Sequence, residues 1–168
     1  MRSLPDGTPV LIRRIRAGDR RLLALGLEKL SALSVQRRFL SPKAKFTERE
    51  LRYLTEVDGH DHVAIVAESP TQPVRHLIGV ARFVRSPLDP SVAEAAIVVD
   101  DSWQGRGLGS LLARELAARA RGLGIRQFTA TMSSDNLPAL RLMEKLAFHL
   151  ERGPSRAGIS ELRLDLAA

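Results

Sequence analysis

A chain of 168 residues fits one ordinary domain, and 44% hydrophobic with 27% charged residues is the balance of a soluble globular fold. The absence of cysteine excludes disulfides, thiolate metal sites and any transfer that passes through a protein thiol. With 26 Lys and Arg against 19 Asp and Glu the net charge is +7, which admits a polyanionic partner, either nucleic acid or a ligand with several phosphates.

The N-terminal stretch MRSLPDGTPVLIRRIRAGDR has no sustained apolar segment, and no run nears the roughly 18 apolar residues that cross a bilayer. A cytoplasmic chain without membrane contact is expected. Residues 10–15 (VLIRRI) read as a strand, and 17–30 as a helix carrying Leu22, Leu25 and Leu30 inward. Thr47 with Glu50 three positions on forms a capping box for a helix bearing Leu51, Leu54 and Val57. The β-branched runs 62–67 (HVAIVA) and 77–84 (LIGVARFV) flank the turn SPTQP and read as an antiparallel hairpin. A third run, 93–99 (AEAAIVV), follows the turn PLDP. Residues 108–123 form an amphipathic helix with Leu108, Leu111, Leu112, Leu116 and Ala120 on one face. A strand at 125–132, a helix at 136–146 capped by Asp135 or Asn136, and strands at 147–151 and 159–166 complete the chain. The order predicts an α/β fold, a mixed, largely antiparallel sheet flanked by helices, in a single domain over residues 1–168.

The segment VVDDSWQGRGLGSLL carries the most chemistry. A strand runs into a loop with glycine at alternate positions, Gly105, Gly107 and Gly109, and then into the amphipathic helix. Glycine admits positive φ and close backbone approach, and the first helical amides lack intrahelical partners at the positive end of the helix dipole. Together these make an anion site suited to a pyrophosphate, with Arg106 as a mobile positive charge at its rim. No Lys-Ser or Lys-Thr follows the glycines, as a P-loop requires. Their GxGxG spacing, past the middle of the chain and after an antiparallel meander, does not fit a dinucleotide-binding fold.

Gln104-Gly105-Arg106-Gly107-Leu108-Gly109 resembles the Q/R-x-x-G-x-G/A acetyl-CoA motif of the GNAT superfamily of N-acyltransferases. The helix from Asn136 through Ala139 and Leu142 to Ala147-Phe148 is similar to that family's second signature, with alanine in place of its glycine. Further upstream, 33–40 (LSVQRRFL), Phe46-Thr47, Leu54-Thr55-Glu56-Val57-Asp58 and 60–64 (HDHVA) resemble the catalytic domain of bacterial Pat-type protein lysine acetyltransferases.

The resemblance implies that acetyl-CoA is the cosubstrate. Its pantetheine arm would pair with the backbone of Ile97, Val98 and Val99. Its pyrophosphate would be held by the amides of Gln104, Gly105, Arg106, Gly107, Leu108, Gly109 and Ser110. Asn136 would cap its helix and reach CoA or a bridging water. Transfer needs a neutral amine, so a general base is required, and Glu94, in the apolar run of Val92, Ala93, Ala95 and Ala96, is the candidate, matching the position of the Pat-type catalytic glutamate. The competing reading is a glutamate on an exposed strand face. No general acid is assigned: Met143 stands where many GNAT members have a tyrosine, and the one tyrosine, Tyr53, lies in another helix. His60 and His62 with Asp58 and Asp61 read as structural, so no metal is expected. Trp103 reads as a packing residue.

The function implied is transfer of acetyl from acetyl-CoA to a primary amine, with a protein lysine as acceptor. A small-molecule amine acetyltransferase and a non-catalytic acyl-CoA-binding regulatory module are the alternatives. Nucleic acid is not expected, because the basic residues are spread along the chain and 4% aromatics leave little for bases to stack on. Oligomeric state is left open.

Overall fold

The computed structural model describes residues 1–166 apart from the Phe148 side chain. Eight strands form one sheet in the order β1-β2-β3-β4-β5-β6-β8-β7. These are β1 (Arg2–Ser3), β2 (Pro9–Arg14), β3 (His62–Glu68), β4 (Leu77–Arg85), β5 (Val92–Val99), β6 (Gln127–Ser133), β7 (Ala147–Arg152) and β8 (Ile159–Leu166). Every neighbouring pair is antiparallel except β5 and β6. The predicted element order is therefore present, with β8 inserted between β6 and β7 and a short β1 added at the edge.

Both faces of the sheet are covered, which is why β3 reads as an unbroken apolar run rather than an alternating one. Its Val63, Ile65 and Ala67 join the core beneath α4 (Leu108–Gly122) and α5 (Leu137–Leu146). Its Ala64 and Val66 face a second cluster under α1 (Arg20–Lys29) and α3 (Glu48–Thr55). Helix α4 buries Leu108, Leu112 and Leu116, each 1% exposed or less, worth roughly 1.5–3 kcal/mol apiece. It lies close against β4 because Gly79 has no side chain there: a Cβ would stand 2.7 Å from Leu112 Cδ1.

Three expectations are corrected. In α1 the buried positions are Leu23 and Leu27, while Leu25 is exposed. Leucines at 22, 23, 25, 27 and 30 offer two competing stripes, and packing on β4 selects the second. Val57 lies beyond α3, which ends at Thr55, although it still packs on the second cluster. A helix is also present where none was predicted, α2 (Ala32–Phe39), capped by Ser31. The capping box of α3 is present as expected, with Thr47 and Glu50 bonding each other's backbone amides.

Candidate functional site

Strands β5 and β6 pair only over Val92–Gln127, Ala93–Phe128 and Glu94–Thr129. Beyond that point β6 keeps β8 on its other edge but parts from β5, and the edge of residues 95–99 away from β4 has no strand beside it. A sheet that splits in this way leaves backbone amides and carbonyls needing partners, and here they face a cleft of about 960 Å³. That size suits a cofactor-sized ligand. The first turn of α4 closes one end, α5 forms one wall, and α2 lies across the other through Ser34, Arg37, Arg38 and Phe39.

Of the predicted site residues, Glu94, Ile97, Val98, Val99, Gln104, Gly105, Arg106, Gly107, Gly109, Ser110 and Asn136 all line this one cleft. Leu108 does not, because its side chain is buried in the core, so only its backbone amide is available there. Gly105 and Gly107 have φ of +71° and +89°, and Gly107 serves as the N-cap of α4. The unpaired amides of that first turn, at the positive end of a 15-residue helix, make this end of the cleft an anion cradle. Asn136 caps α5, accepting from the Ala139 amide at 3.3 Å, and it also borders the cleft.

Arg106 is not a mobile rim charge. Its guanidinium bonds Asp6 Oδ2 and Thr8 Oγ1 at 2.9 and 2.7 Å and lies 4.5 Å from the Trp103 ring centroid. Bonds from the Thr8 side chain and amide, then from Arg106, lower the Asp6 pKa to about 2. The N-terminal segment thus straps the glycine loop, a pairing across 100 residues that no local pattern signals. Trp103, buried beneath Arg106, packs as expected.

Glu94 corrects another expectation. It is exposed to the cleft rather than enclosed in a buried strand, because β6 leaves β5 at this residue. On the same face of the sheet lie Val84 and His62 in its row, and Arg82 beside Ala96 in the next. Arg82 is 6% exposed and donates to Leu54 O and to His62 Nε2. Since an arginine only donates, His62 accepts there and is the neutral Nδ1–H tautomer. Burial first, then the Arg82 charge, pushes the His62 pKa down to about 4. Burial and the neighbouring Arg38 bring Arg82 down to about 10, and burial lowers Arg38 against the opposing pull of Glu94. Both arginines stay cationic at neutral pH, so the carboxylate of Glu94 sits in a positive surround.

The histidine–aspartate group is structural. Asp58 Oδ1 accepts the backbone amides of His60, Asp61 and His62 at 2.8–2.9 Å, tying the turn before β3. Tyr53 stacks on His62 with centroids 4.8 Å apart. Met143 is buried against the cleft. Sequence reasoning missed Asp6, Ser34, Arg37, Arg38 and Asp101. For α2 a signal existed, Ser31 followed by one helical turn to Val35, but exposed Leu33 obscured the apolar stripe.

A model of the acetyltransferase (GNAT) family matches residues 29–148. This chain belongs to that family. It is 37% identical over 136 residues to Acetyltransferase Pat of Mycolicibacterium smegmatis, a match spanning 80% of this chain and 40% of that protein. The chain therefore covers well under half of that relative. The structure matches the GNAT domain of S. lividans PAT with a TM-score of 0.85 and 27% identity, over 98% of this chain and 95% of that one. It also shares the fold of yncA from Salmonella typhimurium, solved with its cofactor acetyl-CoA, at a TM-score of 0.73 and 21% identity over 94% of each chain. In this GNAT family member the unpaired β5 edge can pair with an amide-bearing arm, and the free first-turn amides of α4 can hold a pyrophosphate. No helix among the described residues is long and apolar enough to cross a membrane.

Proposed function

We propose that this chain transfers acetyl from acetyl-CoA directly to a primary amine, with a protein lysine as acceptor and Glu94 as general base. The observation that carries the reading is that Glu94 opens into the same cleft as the unpaired β5 edge and the first turn of α4. The backbone of Ile97, Val98 and Val99 would pair with pantetheine. The amides from Gln104 to Ser110 would hold the pyrophosphate, with Asn136 at the side.

At neutral pH fewer than about one lysine amine in a thousand is uncharged. Glu94 takes the proton of the acceptor ammonium, directly or through one water. The freed nitrogen bonds to the thioester carbonyl carbon, the carbon–sulfur bond breaks, sulfur leaves as the CoA thiolate, and the second proton of the nitrogen passes through solvent to that thiolate. Exposure of Glu94 to the cleft supports this role, because the amine can reach the carboxylate without moving the strand. Similarity to Acetyltransferase Pat and to the Pat-type segments of the N-terminal half supports a lysine acceptor.

The test is Glu94→Gln, assayed with lysine peptides and with small amines. A fall in kcat/KM of about 100-fold or more at neutral pH is expected, with acetyl-CoA affinity unchanged. Full activity in the variant would remove Glu94 from the chemistry. Failure of the unmodified chain to bind acetyl-CoA in a calorimetric titration would sink the transferase reading altogether.

A further inference from the structure

Asp101 lies between β5 and the glycine loop, yet its carboxylate is spent on a different element. Its Oδ2 accepts the Ser31 amide at 2.9 Å, and its Oδ1 accepts the hydroxyls of Ser31 and Ser34 at 2.8 and 2.7 Å. Ser31 is the N-cap of α2 and Ser34 sits in its first turn, so a negative charge meets the positive end of that helix. The bonds continue into the cleft: Gln104 Nε2 donates to Ser34 Oγ at 3.2 Å and to Val99 O at 3.1 Å. Along the path from Gln104 through Ser34 each donor points toward Asp101, while the second bond of Gln104 ties the same side chain to β5.

Gln104 and Val99 line the stretch of cleft assigned to acetyl-CoA, whereas α2 carries Arg37 and Arg38 in its last turn on the side of Glu94. The helix is short, eight residues, and ends at Leu40 with φ +57°, a left-handed conformation uncommon for leucine. A short helix with a strained joint at one end and a charge-assisted tether at the other moves as a unit when its tether moves.

We infer that Asp101 is a positioning residue that carries occupancy of the acetyl-CoA loop to α2, and so sets the acceptor-side wall of the cleft. This rests on the cleft being the acetyl-CoA site. A ligand that draws Gln104 or Val99 toward itself pulls on Ser34, and Asp101 holds the helix to the loop as it shifts. The two substrates then bind with coupled affinities, each improving the site of the other.

Hydrogen exchange followed by mass spectrometry on the full chain, with and without CoA, tests this. In the unmodified chain, saturating CoA slows exchange both in the first turns of α4 and in α2, by about fivefold or more. In Asp101→Ala the α4 response remains and the α2 response falls below about twofold. Asp101→Asn, which keeps one acceptor oxygen, restores part of it. Ser34→Ala removes the bridge to Gln104 and one bond to the carboxylate but leaves Asp101 and its two bonds to Ser31 in place, and loses the α2 response in the same way, so a poorly folding Asp101→Ala does not leave the question open. An undiminished α2 response in Asp101→Ala and Ser34→Ala, or none in the unmodified chain while α4 responds, overturns the coupling. A chain in which α4 itself does not respond overturns the acetyl-CoA reading, and the coupling with it.

Discussion

Ala157 and Gly158 have φ of +50° and +75° and connect Arg156 to Ile159, which bridge as an antiparallel pair. Two consecutive positive φ values mark a type I′ hairpin turn, for which Asn-Gly is the favoured pair. Ala157→Asn is predicted to raise the unfolding free energy by about 0.5 kcal/mol, read from urea denaturation at an unchanged m-value. Gly105 and Gly107 share positive φ but not surroundings. A Cβ on Gly105 meets open space, whereas one on Gly107 stands 2.9 Å from Pro5 Cδ. Gly105→Ala therefore carries only a backbone cost of about 1 kcal/mol, and Gly107→Ala adds displacement of the strap that holds Arg106. The melting temperature of Gly107→Ala should fall further than that of Gly105→Ala; equal falls would mean that the strap yields freely.

At the scale of elements, the capping box of α3 is the clearest local device. Thr47 Oγ1 accepts from the Glu50 amide at 3.2 Å, and Glu50 Oε2 accepts from the Thr47 amide at 2.7 Å. Lys43, 2.6 Å from Glu50, and these backbone bonds lower the Glu50 pKa to about 2. Thr47→Ala is expected to cost about 1 kcal/mol of stability without changing transfer rates, since α3 does not border the cleft. Helix α2 differs in kind. With Leu33 54% exposed, its apolar stripe is weak, and it is held by Asp101 and by packing on β5 and β6 rather than by its own pattern. The opening between β5 and β6 is likewise a property of two elements together. Each strand alone reads as an ordinary buried run.

Over the whole molecule, Arg82 ties the sheet to α3 through Leu54 O and to β3 through a neutral His62. The His62 pKa of about 4 in the folded chain lies below its ordinary 6.5. Between those values the unfolded chain binds the proton and the folded one does not, so stability is complete above about pH 6.5 and is lost as pH falls toward 4. Thermal unfolding across that window should show the decline. His62→Gln, whose amide oxygen can still accept from Arg82, should flatten it. An identical slope in the variant would assign the loss to carboxylates instead. The charge excess of the chain acquires a place as well: Arg37, Arg38, Arg106 and Lys145 border the cleft, against Asp6 and Glu94.

Much of this was legible in the chain itself. The hairpin of β3 and β4, the amphipathic α4, the caps at Thr47 and Asn136 and the glycine loop are all written in residues close together in sequence, because periodicity, capping and positive φ are local effects. The GNAT resemblance rested on those same local motifs. Only the tertiary structure decided the rest. Glu94 was expected in a buried strand and stands exposed, because β6 leaves β5 at that residue. Arg106 was expected free and is pinned by Asp6, 100 residues away. Leu23 and Leu27 take the buried positions, Leu22 packs beside them and Leu25 stands exposed, because the sheet chooses between two competing stripes. Strand separation, ion pairing and helix phase depend on contacts between distant segments, and a pattern confined to one segment holds no information about its partner.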